Sequence, residues 1–381
     1  MKQNRKEKGN FPNLRFPEFE GEWEEKLLGE IADIVGGGTP STTNEEYWNG
    51  DIQWFTPSEI KANYVSRSER TITKLGLTKS SAKLLPIGTI LITTRATIGE
   101  VAIANEECST NQGFQSLVAK EGVNNIFVAN WTKQNKKELI KRAKGSTFAE
   151  ISKSEIEKIS ILLPVTSEQN KIAHFLSLLD ERIATQNKII EDLKILKSTI
   201  SKRLLLNDSW ERFQIADIAS LGRGRVISSV EISKQRNPKY PVYSSQTSSD
   251  GIMGYLDTYD FDGEYVTWTT DGANAGTVFY RNGKFNCTNV CGTLKINSNH
   301  NPYFVALCLN LIARKYVFTN LANPKLMNNV MATIEVYLPD VKIQDSISRI
   351  LSSIDMKYKI ENEIAVKYMK MKKYLLSNLF V

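Results

Sequence analysis

Histidine is almost missing from this chain: His174 and His300 are the only two among 381 residues. Ser-His-Asp catalysis and His-based metal sites therefore have little to draw on. His174 reads as a surface or seam-flanking residue and His300, in SNHNP, as a turn residue. The four cysteines, Cys108, Cys287, Cys291 and Cys308, form no CxxC pair and no regular framework. That excludes a disulfide scaffold and suits a reducing cytoplasm. A metal clip at Cys287 and Cys291 would lack further ligands, so core packing is the preferred reading. No stretch approaches eighteen consecutive apolar residues, so neither a transmembrane helix nor a secretory signal is expected. A phosphate-cradling GxxxxGK(S/T) loop is absent, as are a Gly-rich methyl-donor loop and an Asn/Asp-Pro-Pro-aromatic motif. GGGTP at 36–40 does not follow GxGxxG. No cofactor and no bound metal are expected.

Concentrated basic charge is missing too. The net charge is +7, but residues 21–166 carry 17 basic and 18 acidic side chains, and residues 207–340 carry 12 of each. The surplus lies at 1–20, 167–206 and 341–381, so the chain alone is expected to hold a phosphate backbone weakly.

What is present is a repeat. Shifted by 175, Leu163-Pro164 falls on Leu338-Pro339, and Gln169, Ile172, Leu176, Asp180, Lys197 and Leu204 fall on identical residues without a gap. Trp23-Glu24 falls on Trp210-Glu211 at a different shift, so the lobes have diverged by insertion while the segments after them have not. In those segments Ile172, Leu176, Leu179, Ile183, Gln186, Ile190, Leu193, Lys197, Ile200 and Leu204 alternate by four and three, and 347–379 repeats the ladder. This is a coiled-coil seam. Each helix, 167–206 and 341–381, would run about 60 Å. A parallel pairing opposes Lys197 to Lys372. An antiparallel pairing sets Lys197 against Glu361 and Gln186 against Lys372, and is preferred on charge.

The lobes alternate short β-type runs (Thr89–Thr93, Glu100–Ala104, Tyr265–Thr269, Gly276–Tyr280) with short helical patterns. The expected fold is α+β (mixed α/β) with a pseudo-two-fold repeat. Its parts are an N-terminal tail at 1–20, solvated over Met1–Asn10, lobes at 21–166 and 207–340, and a long helix after each lobe.

Base edges are read by Arg, Lys, Asn, Gln, Ser and Thr, and phosphates by those groups and by backbone N–H. Thr93, Thr94, Arg95 and Thr97 form one candidate reading loop, with Asn111 beyond it. Thr269, Thr270, Asp271 and Asn274 form its repeat, with Arg95 falling on Gly272 and Thr97 on Asn274. An ordinary surface hairpin is the alternative. Further candidates are Thr39, Ser245 and Gln246 in loops, Arg223 and Arg225 for phosphate, and Ser146 and Lys325 near the end of each lobe.

WE…LGEIADIVGGGTP at 23–40, TTRATIGEVAI at 93–103, STNQGF at 109–114, YDFDGEYVTWTTDGANAGTV at 259–278 and the repeated LP…Q…I…L…D helices together resemble the specificity subunit of type I restriction–modification systems. The resemblance runs from about residue 20 to the C-terminus. It implies two target-recognition domains, each reading half of a bipartite double-stranded DNA target. It also implies helices that space the halves and dock two methyltransferase (modification) subunits. Restriction/translocase subunits would join the complex, and the chain itself would catalyse nothing. The rival readings are an autonomous DNA-binding regulator and a split-site nuclease. The first needs a basic face that works alone, and the second a carboxylate cluster near a lysine.

Overall fold

The computed structural model describes residues 9–95, 97–144, 149–319 and 323–381. Four helices organise it: α1 (Asn125–Gln134), α2 (Thr166–Leu205), α3 (Pro302–Ile312) and α4 (Val341–Asn378). The two long ones match the expected helices within a few residues. Among the described residues no helix is long and apolar enough to cross a membrane.

The chain divides into two compact units. One runs through Gln186 and regains Ile364–Val381; the other is Asn187–Glu363. Each lobe therefore packs with portions of both long helices, not only with the helix that follows it in sequence.

In the first unit the strands are β1 (Glu24–Leu27), β2 (Ala32–Gly36), β3 (Trp48–Phe55), β4 (Tyr64–Val65), β5 (Arg70–Ile72), β6 (Ile90–Ile92), β7 (Val101–Ala104), β8 (Cys108–Thr110), β9 (Gln115–Ala119) and β10 (Ser160–Leu163). They form a five-stranded sheet β2-β9-β6-β7-β4, a three-stranded sheet β5-β3-β8, and the antiparallel pair β1-β10 that closes the lobe. The second unit contains β11 (Glu211–Gln214), β12 (Ala219–Arg223), β13 (Tyr240–Tyr243), β14 (Ile252–Leu256), β15 (Tyr265–Thr269), β16 (Val278–Arg281), β17 (Asn286–Cys287), β18 (Cys291–Ile296) and β19 (Glu335–Leu338). Its sheets are β12-β18-β15-β16 and β14-β13-β17, closed by β11-β19. The layered mixture of helix and sheet is the expected α+β class, built twice.

Apolar burial explains both lobes. Trp23 packs edge-on to Phe127 of α1 at 5.8 Å, and Trp210 lies 6.0 Å from Phe304 of α3. The repeated Trp-Glu is thus a core anchor. Asn124 and Asn301 cap the lobe helices, accepting from the N–H groups of Phe127 and Phe304, each at 2.9 Å. Each cap is tied to a long helix. Gln169 Oε1 accepts from Asn124 N at 2.9 Å while its Nε2 donates to Pro164 O at 2.8 Å. Gln344 repeats this with Asn301 N at 2.9 Å and Pro339 O at 2.7 Å. A glutamine amide saturates two backbone groups that burial would otherwise strand.

Every position of both heptad ladders is buried or half-buried. Within each unit the two long helices run antiparallel. Ile172 and Leu176 share a core with Leu375 and Leu379, and Leu205 shares one with Ile347 and Leu351. The register differs from the one expected. Lys197 pairs with Asp355 at 2.5 Å and Lys372 with Asp180, six residues from the partners expected on charge. Seam residues alone suggested Glu361 and Gln186. The lysines instead leave the seam sideways to carboxylates that flank it, where water still reaches the pair.

The expected tail is also corrected. Leu14 and Phe16 pack on the first core, Leu14 N donates to Asn378 O at 2.9 Å, and Arg15 holds buried Glu168 with two bonds of 2.8 Å. Residues 9–20 are thereby fastened by an apolar pair around a bidentate ion pair.

Candidate nucleic-acid interface

The first candidate loop joins β6 to β7. Thr93 N donates to Glu100 O at 3.0 Å and Gly99 N returns to Thr93 O at 2.8 Å. Gly99 has φ +81°, and a Cβ there would meet the Lys136 side chain at 2.8 Å, so glycine is required. The second loop joins β15 to β16 in the same frame. Thr269 N donates to Thr277 O at 3.0 Å, Gly276 N returns to Thr269 O at 2.9 Å, and Gly276 has φ +80°. The second loop is one residue longer. Counted from the closing threonine, Thr93 corresponds to Thr269 and Arg95 to Asp271; counted back from the glycine, Arg95 falls on Gly272.

The threonines face inward. Thr93, Thr94, Thr269 and Thr270 are at most 1% exposed. Thr93 Oγ1 donates to Thr97 O and accepts from Glu100 N. Thr94 N donates to Gly113 O at 2.7 Å, and Thr270 N to Val290 O at 2.9 Å. These four shape the loops from inside, and burial leaves none of their hydroxyls on the surface to read a base. Arg95 and Thr97 are exposed, and Asn274 is half-buried. Arg95 pairs with Glu150 at 2.8 Å.

Around the first loop, Gly38 N donates to Thr110 O at 2.8 Å. A Cβ on Gly37 would lie 1.9 Å from Asn111 O, so the Gly-rich run is a close backbone approach. Thr39 donates to Gln112, and Asn111 Oδ1 accepts from Gly113 N at 2.8 Å. Thr39, Asn111, Thr94 and Arg95 are thereby gathered at one end of the sheets. Ser146 lies outside the described residues.

In the second unit the gathering is tighter. Asn274 Nδ2 donates to Ser245 O at 3.0 Å, joining two candidate loops. Gln246 Nε2 turns back to Ile252 O. Arg223 reaches Asn289 O at 2.6 Å, Thr270 Oγ1 at 2.9 Å and Asp271 at 3.1 Å. Asp271 also meets Lys325 at 3.7 Å, and the two residues form an antiparallel bridge. Arg225 is the exception. It is held between Asp260 at 3.0 Å and Glu231 at 2.7 Å. The bond to Glu231 raises the Arg225 pKa, while burial opposes it. Two carboxylates around one guanidinium make the cluster net negative, with no positive charge to offer a phosphate.

Sequence reasoning missed Arg281. It is 4% exposed, stacked 3.6 Å from the Tyr243 ring, and bonded to Asp250 through Oδ2 at 2.7 Å and the carbonyl at 2.9 Å. Ser249 and Asp250 have φ +49° and +56°. Left-handed backbone in two consecutive non-glycine residues stores strain, and Arg281 holds it. Gly251 O then accepts from Ser244 N at 2.9 Å, so this turn backs the Ser245–Gln246 loop. A buried arginine as the last residue of a strand had no signal in a charge count.

The cysteines are free and buried, and burial pushes the Cys108 thiol up to about 12 and Cys291 up to about 11. Among the described residues no group of three His, Cys, Asp or Glu is placed to hold a metal ion.

The family described as "Type I restriction modification DNA specificity domain" matches residues 20–194 and again 207–367. The type I restriction enzyme MjaIX specificity subunit of Methanocaldococcus jannaschii is 40% identical over 269 residues, covering 64% of this chain and 61% of that protein. The chain thus spans under two thirds of that relative's length. A putative type I specificity subunit of Mycoplasma pneumoniae is 40% identical over 202 residues, 52% of this chain and 84% of that protein. The crystal structure of a type I restriction–modification S subunit from M. genitalium superposes with a TM-score of 0.71 at 17% identity, covering 97% and 99% of the two chains.

Proposed function

The chain belongs to the type I restriction–modification DNA specificity family, with two copies of its domain, and from that premise we propose that it is a non-catalytic reader of a split target on double-stranded DNA. Each lobe reads one half. The long helices fix the gap between the halves and dock two methyltransferase subunits, through which restriction/translocase subunits join. Catalysis and methyl donor belong to those partners.

The observation that carries this reading is the pair of loops at Thr93–Gly99 and Thr269–Gly276. They share backbone frame and glycine conformation but differ in side chains and by one residue in length. Divergent side chains on a common frame suit two readers with different targets. Arg95, Thr97, Thr39 and Asn111 would serve the first half; Asn274, Ser245, Gln246, Arg223 and Lys325 the second.

Methylation mapping tests it, in cells that express the chain with candidate methyltransferase subunits. A split, asymmetric motif is expected. Exchanging residues 21–165 for a relative's should then change one half only. A continuous motif, or a change in both halves, defeats the proposal.

A further inference from the structure

Arg95 and Asp271 occupy the same place in the two loops, two residues after the threonine that closes each loop. Both are paired to the stretch preceding the lobe's last strand: Arg95 to Glu150 at 2.8 Å, Asp271 to Lys325 at 3.7 Å. Glu150 and Lys325 are themselves counterparts, because each closes an antiparallel bridge, to Lys144 and to Phe318. One ion pair thus recurs with its polarity reversed, and in the second unit Arg223 adds a second cation to the same carboxylate.

Resting on the DNA-reading function above, we infer that Glu150 and Asp271 set specificity by occupying Arg95, Arg223 and Lys325 in the place of a DNA phosphate, so that random-sequence DNA must displace a tethered carboxylate. The cations are 35–45% exposed, so DNA can reach them. Exposed pairs are weak, so a duplex held only through phosphate can displace the carboxylate, at a small cost. Non-specific binding is nearly all phosphate contact and carries the whole competition. A matched site is held by base contacts, depends less on these cations, and can leave the carboxylates in place. Each of the three cations thus touches a carboxylate, Arg223 and Lys325 sharing that of Asp271.

The test uses the full chain, a random-sequence duplex and a duplex carrying the mapped target, titrated over a range of salt. Glu150→Gln and Asp271→Asn are each expected to raise random-duplex affinity about three-fold. They should also steepen the slope of log affinity against log salt by about one per freed cation. Affinity for the matched duplex should rise less. Arg95→Asp combined with Glu150→Lys rebuilds the second unit's polarity in the first, and should keep the wild-type slope. An unchanged slope in Glu150→Gln, or equal gains on both duplexes, would overturn the inference. A wild-type chain that ignores the mapped target would defeat the reading function itself, a separate failure.

Discussion

Lys197 Nζ lies 2.5 Å from Asp355 Oδ1, and the same pair recurs 175 positions away in the sequence as Lys372 with Asp180. In one unit the lysine comes from α2 and the aspartate from α4; in the other the roles are exchanged. Asp355 also accepts from Tyr303 Oη of α3 at 2.6 Å. That carboxylate thus ties both long helices to the lobe helix.

A double-mutant cycle on Lys197→Met and Asp355→Asn should give a coupling of about 0.5–1 kcal/mol, because both groups are about a third exposed and water screens them. Asp355→Asn should cost more than Lys197→Met, since it also weakens the Tyr303 bond. Urea unfolding at low and high salt measures both. Zero coupling at low salt would remove this pair from any role in register.

Gln344→Ala should destabilise the second unit by roughly 1–3 kcal/mol, because Asn301 N and Pro339 O lose their partner at a site where Gln344 is 1% exposed. Gln169→Ala should do the same in the first unit. Amide hydrogen exchange at Asn301 and Asn124 provides the local readout: each variant should lose protection only at its own cap.

Burial of Lys133 against the charge of Lys372 lowers its pKa to about 8, and Asp180 and Glu100 offset only part of that. The unfolded chain binds the proton more tightly than the folded one between about pH 8 and 10.5. Stability from this group therefore rises with pH across that window. Lys133→Met should stabilise at pH 7 and flatten the profile above pH 8, by an amount reduced by the lost bond to Asn63. Melting at pH 7 and near pH 9.5 checks it; a variant that still gains stability with pH would contradict the assignment.

Arg281→Met should release the Ser249–Gly251 turn at a cost of about 1 kcal/mol, since Asp250 loses two bonds while its carboxylate, 67% exposed, stays solvated. If the loop it backs reads DNA, methylation mapping should show relaxed stringency in one half-site and none in the other. Asp250→Asn keeps the carbonyl bond but leaves the buried Arg281 cation without its counter-charge, and should cost more than Arg281→Met. Relaxation of both halves would point to general loss of fold instead.

The long helices were legible because a seam is a local rule: apolar residues at four-three spacing, no Gly or Pro within, and Leu-Pro before the start. Register was not. Three and four alternate identically in many alignments, and the deciding carboxylates, Asp180 and Asp355, sit beside the seam where periodicity does not look. In the loops the Thr-Thr and Gly signals were legible because backbone geometry demands them. Which side chains face outward was not, because the pleat that buries Thr94 and exposes Arg95 depends on the neighbouring strand. The single-residue lengthening before Gly276 also hid from an ungapped comparison that Arg95 and Asp271 stand at the same distance from the closing threonine. Residues 9–20 looked like a tail since their fastening depends on Glu168 and Asn378, both far away in sequence.

Each loop closes through main-chain atoms and one left-handed glycine, at Gly99 and at Gly276. Nothing in that closure consults the side chains at positions 95, 97, 271 or 274. Variation there leaves the closure intact and forfeits only the side-chain bonds of Arg95, Asp271 and Asn274, so under the reading proposed above a randomised library at those positions would be filtered mainly by what it recognises. A lineage could move from one target to another through stable intermediates, changing its address without rebuilding the molecule that carries it.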